Sequence, residues 1–233
     1  MDWIAALERE GHALSTAARH DTTAEVPSCP GWTIDDLLRH VSVTHRWSEQ
    51  IVRERLMARP ELQNSPHSNS LGWYEAGLDA LLTTFRAADP TASVWTFSPS
   101  NRTTSFWFRR QSHETAIHRV DAELATGAVG PIDAAFAVDG IAENLEVMVP
   151  RMAGNAVAGG TVHLHVTDVE GEWLIRFGDG EVAVEVGHAK GDAAVRGTAE
   201  DLYLWLWGRG DVDRLELFGD TTMADRLLAL TRV

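Results

Sequence analysis

Residues 30–52 read PGWTIDDLLRHVSVTHRWSEQIV. Thr33 is a natural N-cap, and Asp36 stands at N3, where a carboxylate favours the exposed amides of a helix start. Trp32 and Leu37 occupy the two positions of a hydrophobic staple. At about 100° per residue, Arg39, Arg46, Glu49, Gln50 and Arg53 share one face of the helix. Leu37, Leu38, Val41, Thr44, Trp47, Ile51 and Val52 share the other.

The flanking sequence repeats the pattern. Trp3, Ile4, Leu7 and Leu14 predict a first helix over residues 2–19, and a third is expected over 71–88, stopping before Asp89-Pro90. A fourth starts at Thr103 or Thr104 and runs to Gly127, and a fifth helical stretch, about 131–152, follows Gly130-Pro131. The texture changes at Gly154–Gly160. Beyond it come the short alternating runs TVHLHVT, EWLIRF, EVAVEV and AAVRG, with Gly178-Asp179-Gly180 as a hairpin turn between two of them. Thr198 caps a helix through Leu206, and Gly219 precedes a last helix to about Leu230. The fold class expected is α+β in two domains: an antiparallel helical bundle over 1–153, a glycine-rich linker at 154–160, and a small α+β domain over 161–233.

Composition narrows the function. The chain has 233 residues, 44% of them hydrophobic, enough to bury a real core. Its 34 acids against 20 bases give a formal charge of −14, with no basic run to track a nucleic-acid backbone. No apolar run approaches the ~20 residues of a membrane helix, and the N-terminus, MDWIAALEREGHALS, is charged and amphipathic, unlike a signal peptide. Cys29 is the lone cysteine, so no intrachain disulfide forms and a cytoplasmic location is expected.

The fourth helix carries the chemistry. In RRQSHETAIHRVDAE, residues 109–123, Arg109, Ser112, Arg119 and Glu123 gather on one side, expected to face solvent. Trp107, Ile117, Leu124 and Ala125 lie opposite, and Glu114, His118, Asp121 and Arg110 fall within that inward arc. A buried ionised carboxylate is costly unless it is paired or bound to a metal. Glu114 and His118, one turn apart, can reach one cation. A further ligand must come from a facing helix, and the second helix supplies His40 and His45. These lie about 140° apart around that helix, so they cannot readily share an ion, and spacing does not choose between them. A ladder of pairs from Arg110 through Glu114 to His118 is the competing reading of the same residues.

VPSCPGWTIDDLLRH (26–40) followed by HETAIHRVDAE (113–123) resembles the mycothiol-dependent maleylpyruvate isomerase family. HLHVTDVEGEWLIRF and AAVRGTAEDLYLWLWGRGD resemble that family's C-terminal domain, so the likeness covers nearly the whole chain in order. The resemblance implies a DinB-like four-helix bundle followed by a small α/β module of the sterol-carrier type. It implies a divalent metal, zinc in the isomerase itself, held by His40, Glu114 and His118, and it selects His40 over His45. It also implies a role for Arg209, the arginine of LWLWGRGD, in pairing with a substrate carboxylate or stabilising enolate-like charge.

Three protein ligands leave coordination positions open, which suits catalysis rather than structure. The chemistry implied is activation of a low-molecular-weight thiol, mycothiol, as thiolate at the metal. In the isomerase that thiolate adds to the cis double bond of maleylpyruvate, the resulting single bond rotates, and elimination leaves the trans isomer. The family also includes S-transferases that conjugate electrophiles, in which the thiol is consumed. A metal-dependent hydrolase, using the open position to activate water, and a small-molecule binding protein with the bundle as scaffold are the other readings.

Of the remaining residues, Cys29 is expected to pack under Trp32, Asp121 either orients His118 or accepts a hydrogen bond elsewhere, and Arg110 is expected to pair with Glu114 or a neighbouring helix, binding of a substrate carboxylate being the alternative. Trp47 and Trp107 are expected to wall the metal pocket. His163 and His165 share one strand face, opposite Val162, Leu164 and Val166, and H-x-H can chelate. No third ligand is apparent in the sequence, so the pair is expected to face solvent or the first domain. His67 and His188 read as loop residues.

Overall fold

In a computed structural model that describes residues 1–66, 68–127, 129–155 and 159–231, the chain forms two compact units, Met1–Gly130 and Pro131–Val233. The first unit is four helices: α1 Trp3–Ala18, α2 Ile34–Arg53, α3 Ser70–Ala87 and α4 Thr104–Thr126. The start of α2 follows its sequence signature. Thr33 accepts from the amide of Asp36, and the Asp36 carboxylate accepts from the amide of Thr33 at 3.0 Å, closing a capping box. Gly127, at φ 81°, ends α4 in the left-handed conformation that a side chain would resist.

Each helix packs on two others, α1 and α2 both lying against α3 and against α4. Leu7, Leu14, Leu37, Leu38, Ile51, Leu81 and Trp107 are essentially inaccessible at its centre. One face of α4 differs from the expectation. Ser112 and Arg119, expected in solvent, are buried, while Leu124 and Ala125 are half-buried. Nearly the whole girth of α4 is enclosed, so its polar residues find protein partners: Arg119 pairs with Glu10 at 2.8 Å and with Glu123 at 2.6 Å. A helix enclosed on all sides has no polar stripe from which to read orientation.

The second unit holds a five-stranded sheet in the order β3-β2-β1-β4-β5. The strands are β1 Thr161–Val166, β2 Glu172–Phe177, β3 Val182–Val186, β4 Ala193–Gly197 and β5 Glu216–Gly219. β1 and β4 are parallel and the other neighbours antiparallel. β5, an edge strand of four residues, is too short for its alternation to stand out in sequence. The helices are α5 Ala134–Glu143, α6 Val149–Met152, α7 Ala199–Leu206 and α8 Thr222–Thr231, with a π-helical turn, Asn144–Met148, between α5 and α6. α8 packs on β1 and β4, and α7 on β4. Val162, Leu164 and Val195 are buried.

The boundary between units lies earlier than the expected break at 154–160. α5 packs along α7, where Phe136 meets Tyr203 with ring centroids 6.4 Å apart, and the Ile132 amide donates to Glu200 at 3.1 Å. The apolar stripe of Phe136, Ala137 and Ile141 is spent on the second unit. Of the glycine-rich stretch, residues 156–158 lie outside the described residues, as does His67. Gly159 and Gly160 hydrogen-bond Phe177 and so extend the pairing of β2. Among the described residues no helix is long and apolar enough to cross a membrane.

Candidate metal centre

His40 lies on the second turn of α2, and Glu114 and His118 lie one turn apart on α4, the helix beside it. The Nε2 atoms of both histidines stand 3.3 Å from Oε1 of Glu114, and one ligand atom from each residue lies within 4.8 Å of the other two. The two imidazoles meet edge to face, centroids 5.0 Å apart. The other histidine of α2 turns away. His45 is completely buried, with Nε2 2.9 Å from the Thr115 hydroxyl and its ring against Tyr74.

Outer contacts fix the arrangement. His118 Nδ1 donates to Asp121 Oδ2 at 2.9 Å, and the wholly buried Asp121 accepts on its other oxygen from the Ser28 hydroxyl. With Nδ1 committed to Asp121, Nε2 is the nitrogen turned to Glu114, and it becomes a metal donor when its proton is displaced. Arg110, itself buried, donates to Glu114 Oε2 at 3.2 Å, so Oε1 is the oxygen turned to the histidines. Cys29 also reaches this outer layer, its Sγ 3.8 Å from Asp121 Oδ2. Trp32 itself borders the centre, 5.2 Å from the His40 ring.

Trp47 and Trp107 do not wall this pocket. They stack with Trp95 and Phe97, and their indole N–H groups donate to the carbonyls of Pro60 and Trp95. Each stands seven residues from a centre residue, about 10 Å along its helix. The aromatic segment between α3 and α4, which supplies Trp95 and Phe97, has no periodicity that announces it.

Burial works against the charge of Glu114, yet hydrogen bonds from His118 and His40, with the charges of His118 and Arg110, hold it well below the usual carboxylate range. Burial likewise opposes protonation of His118, but its hydrogen bonds with Asp121 and Glu114 outweigh it and raise the imidazole to about 9. At His45 burial wins and holds the ring down to about 3. Two imidazole nitrogens and a carboxylate oxygen, converging from two helices with a carboxylate behind one histidine, are a donor set that fits a divalent metal and leaves coordination positions free.

The comparisons follow the same two-part division. The model of the mycothiol maleylpyruvate isomerase N-terminal domain matches residues 4–123, and that of the MDMPI C-terminal domain matches residues 135–226. The chain belongs to the mycothiol-dependent maleylpyruvate isomerase family. A crystal structure of the mycothiol-dependent maleylpyruvate isomerase superposes with a TM-score of 0.63 at 16% identity, covering 93% of this chain and 91% of that one. A point mutant of that enzyme superposes at 0.64 and 15%, with the same coverage. At such identity the likeness is one of fold. No curated protein matches the chain in sequence.

Arg209 belongs to the second unit. It follows Gly208, whose φ of 72° turns the chain after α7, and its guanidinium donates to the Trp207 carbonyl at 2.6 Å. His163 and His165 take no part in the bundle centre; they gather with Glu172 and His188 on the sheet.

Proposed function

We propose that this protein is a metal-dependent, mycothiol-using enzyme acting on a small electrophilic substrate, as in the cis–trans isomerisation that the family's maleylpyruvate isomerase performs. The observation that carries the reading is the convergence of His40 Nε2, Glu114 Oε1 and His118 Nε2, with Asp121 behind His118. His40, Glu114 and His118 would hold the metal, zinc by their chemistry. Bound there, it would supply a low-pKa site for a thiol, so that the nucleophile is present as thiolate at neutral pH.

The chain's own residues do the rest. Asp121 holds the Nδ1–H of His118, and Arg110 neutralises the far oxygen of Glu114, so His118 Nε2 and Glu114 Oε1 already face inward. Trp32, beside His40, gives the rim an apolar surface that excludes water from one side. Arg209 is proposed as the residue that pairs with a substrate carboxylate, a role for which a bidentate guanidinium is suited. The cytoplasm, where the single cysteine stays reduced, is the proposed location.

The test has two arms. Zinc is counted in wild-type protein and in His40→Ala, Glu114→Ala and His118→Ala, each of which should lose one equivalent. Unchanged zinc in all three would end the assignment. Turnover of maleylpyruvate is then followed together with free mycothiol. A constant thiol concentration supports isomerisation, one thiol consumed per turnover indicates S-transfer, and turnover without thiol excludes both.

A further inference from the structure

The face of the sheet away from α8 assembles a second cluster that the bundle does not use. Side chains along a strand alternate, so His163 and His165 emerge on one face of β1, as the sequence suggests. The sequence did not show their partners. In the antiparallel register His165 stands directly opposite Glu172, which is also diagonal to His163 and within reach of both. The Gly187 amide donates to the Glu172 carbonyl at 2.9 Å, carrying the β2–β3 pairing one residue past β3. Gly187, at φ 123°, then turns the chain so that His188 comes over the same carboxylate.

Three imidazoles thus surround one glutamate. His163 Nε2 lies 3.0 Å from Oε2, His165 Nδ1 3.0 Å from Oε1, and His188 Nδ1 2.7 Å from Oε2. One donor atom from each of the four residues lies within 4.8 Å of all the others. A tetrahedral zinc site has ligand–ligand edges of about 3.4 Å, as follows from its Zn–N bonds of about 2.0–2.1 Å. Metal binding at this cluster requires side-chain rotations that draw the donors together by up to that difference. His163 is buried rather than facing solvent, which anchors one ligand, whereas the His188 side chain is 80% exposed and leaves a way in. A cavity of about 520 Å³, lined by His163, His188, Lys190, Asp192 and Phe218, opens beside them.

We propose that His163, His165, Glu172 and His188 form a second metal site, taking a borderline divalent transition cation such as Zn²⁺ and fastening the segment after β3 to the sheet. The donor chemistry selects the class of ion. Three nitrogens and one oxygen suit zinc, cobalt or nickel, while calcium and magnesium take shells of oxygen. A partly exposed carboxylate gains little net stability from imidazole neighbours alone. A shared cation uses the lone pair of every one. With four protein ligands the site resembles a structural centre rather than an open catalytic one.

The site is independent of the bundle residues, and the experiment keeps the two apart. Untagged full-length protein is dialysed against micromolar zinc chloride, and bound metal is counted by mass spectrometry. A His40→Ala, His118→Ala double variant should retain one zinc per chain. In that background His188→Ala or His165→Ala should weaken the remaining site by more than about 10-fold, since even loss of an outer partner of a metal ligand costs that much. His188 is exposed, so its substitution leaves the sheet intact, and an unchanged far-ultraviolet dichroism spectrum verifies this. Cobalt in place of zinc should give the visible bands of four-coordinate geometry, absent in His188→Ala. The proposal is overturned if the double variant binds no zinc, or if zinc bound by otherwise wild-type protein is the same with and without His165 and His188.

Discussion

The two histidine–carboxylate clusters are built by different backbones. In the bundle, Glu114 and His118 are one helical turn apart and His40 arrives from the neighbouring helix, so the donors are held by long rigid elements. On the sheet, His163 and His165 are two residues apart, Glu172 comes from the next strand, and His188 hangs from a connecting segment. The bundle cluster has a buried carboxylate behind it, Asp121, while the sheet cluster places its one carboxylate at the centre. A centre that orients its ligands from behind is pre-organised for reaction. One whose ligands meet at a shared carboxylate is suited to tying chain segments together.

The largest effect should come from the bundle carboxylate. Glu114→Gln keeps the side chain's shape but removes the charge between two histidines and Arg110. Metal affinity at the bundle should fall by more than the roughly 10–100-fold cost of losing an outer partner, and thiol-dependent turnover should go with it. Calorimetric zinc titration should show the sheet cluster unaffected. A loss of both binding events would mean that the two clusters are not independent.

A histidine bonded to carboxylates and one bonded to a hydroxyl sharpen the contrast. His118 is raised to about 9 by its carboxylate neighbours, whereas His45, on the helix that also carries His40, is held down to about 3 by burial. The folded pKa of His45 lies below its unfolded value, so its contribution is intact above about pH 6.5 and is lost as the pH falls below it. Between pH 6.5 and about 3 the unfolded chain takes a proton that the folded one refuses, at about 1.4 kcal/mol per pH unit. His45→Gln should flatten this part of the stability profile measured by urea unfolding. Near neutral pH it should cost about 1 kcal/mol through the altered bond to Thr115. An equally steep acid loss in the variant would locate the titration elsewhere.

Asp121→Asn tests the outer support directly. The amide cannot accept from both His118 Nδ1 and Ser28 as the carboxylate does. Zinc affinity at the bundle should fall by about 10–100-fold with the sheet cluster unmoved, as read by competition with a chelator. A change below twofold would mean that the ligands are held by helix packing alone.

How much of this was legible in the sequence depends on how each element is exposed. α2 is half in water, so its capping box and polar stripe could be read from residues 30–52. α4 is enclosed, and there the same reasoning put Ser112 and Arg119 in solvent. Glu114 and His118 were correctly turned inward because one-turn spacing is local, but choosing His40 over His45 needed the family likeness or the fold. Glu172 and His188 escaped notice because their proximity to His165 depends on strand register and on the turn at Gly187, neither of which is written in local periodicity. α5 was assigned to the bundle because an apolar stripe tells that a helix packs, not what it packs against.

The smallest predicted effect asks whether the bundle donors depend on the start of α2. Thr33 caps that helix seven residues before His40. Thr33→Ala removes the side-chain acceptor for the Asp36 amide and should cost the first unit about 1 kcal/mol, a shift of a few degrees in thermal unfolding. Two helical turns lie between the cap and the imidazole, and Leu37, Leu38 and Val41 beside it are fully buried. Packing, not the cap, then fixes the height of His40, and zinc affinity at the bundle should stay within about twofold, well inside the 10-fold minimum expected for damage to a ligand's support. A larger loss of affinity in this variant would show that α2 is held at its end rather than along its face, and the contrast between a rigidly framed bundle centre and a tied sheet cluster would fail with it.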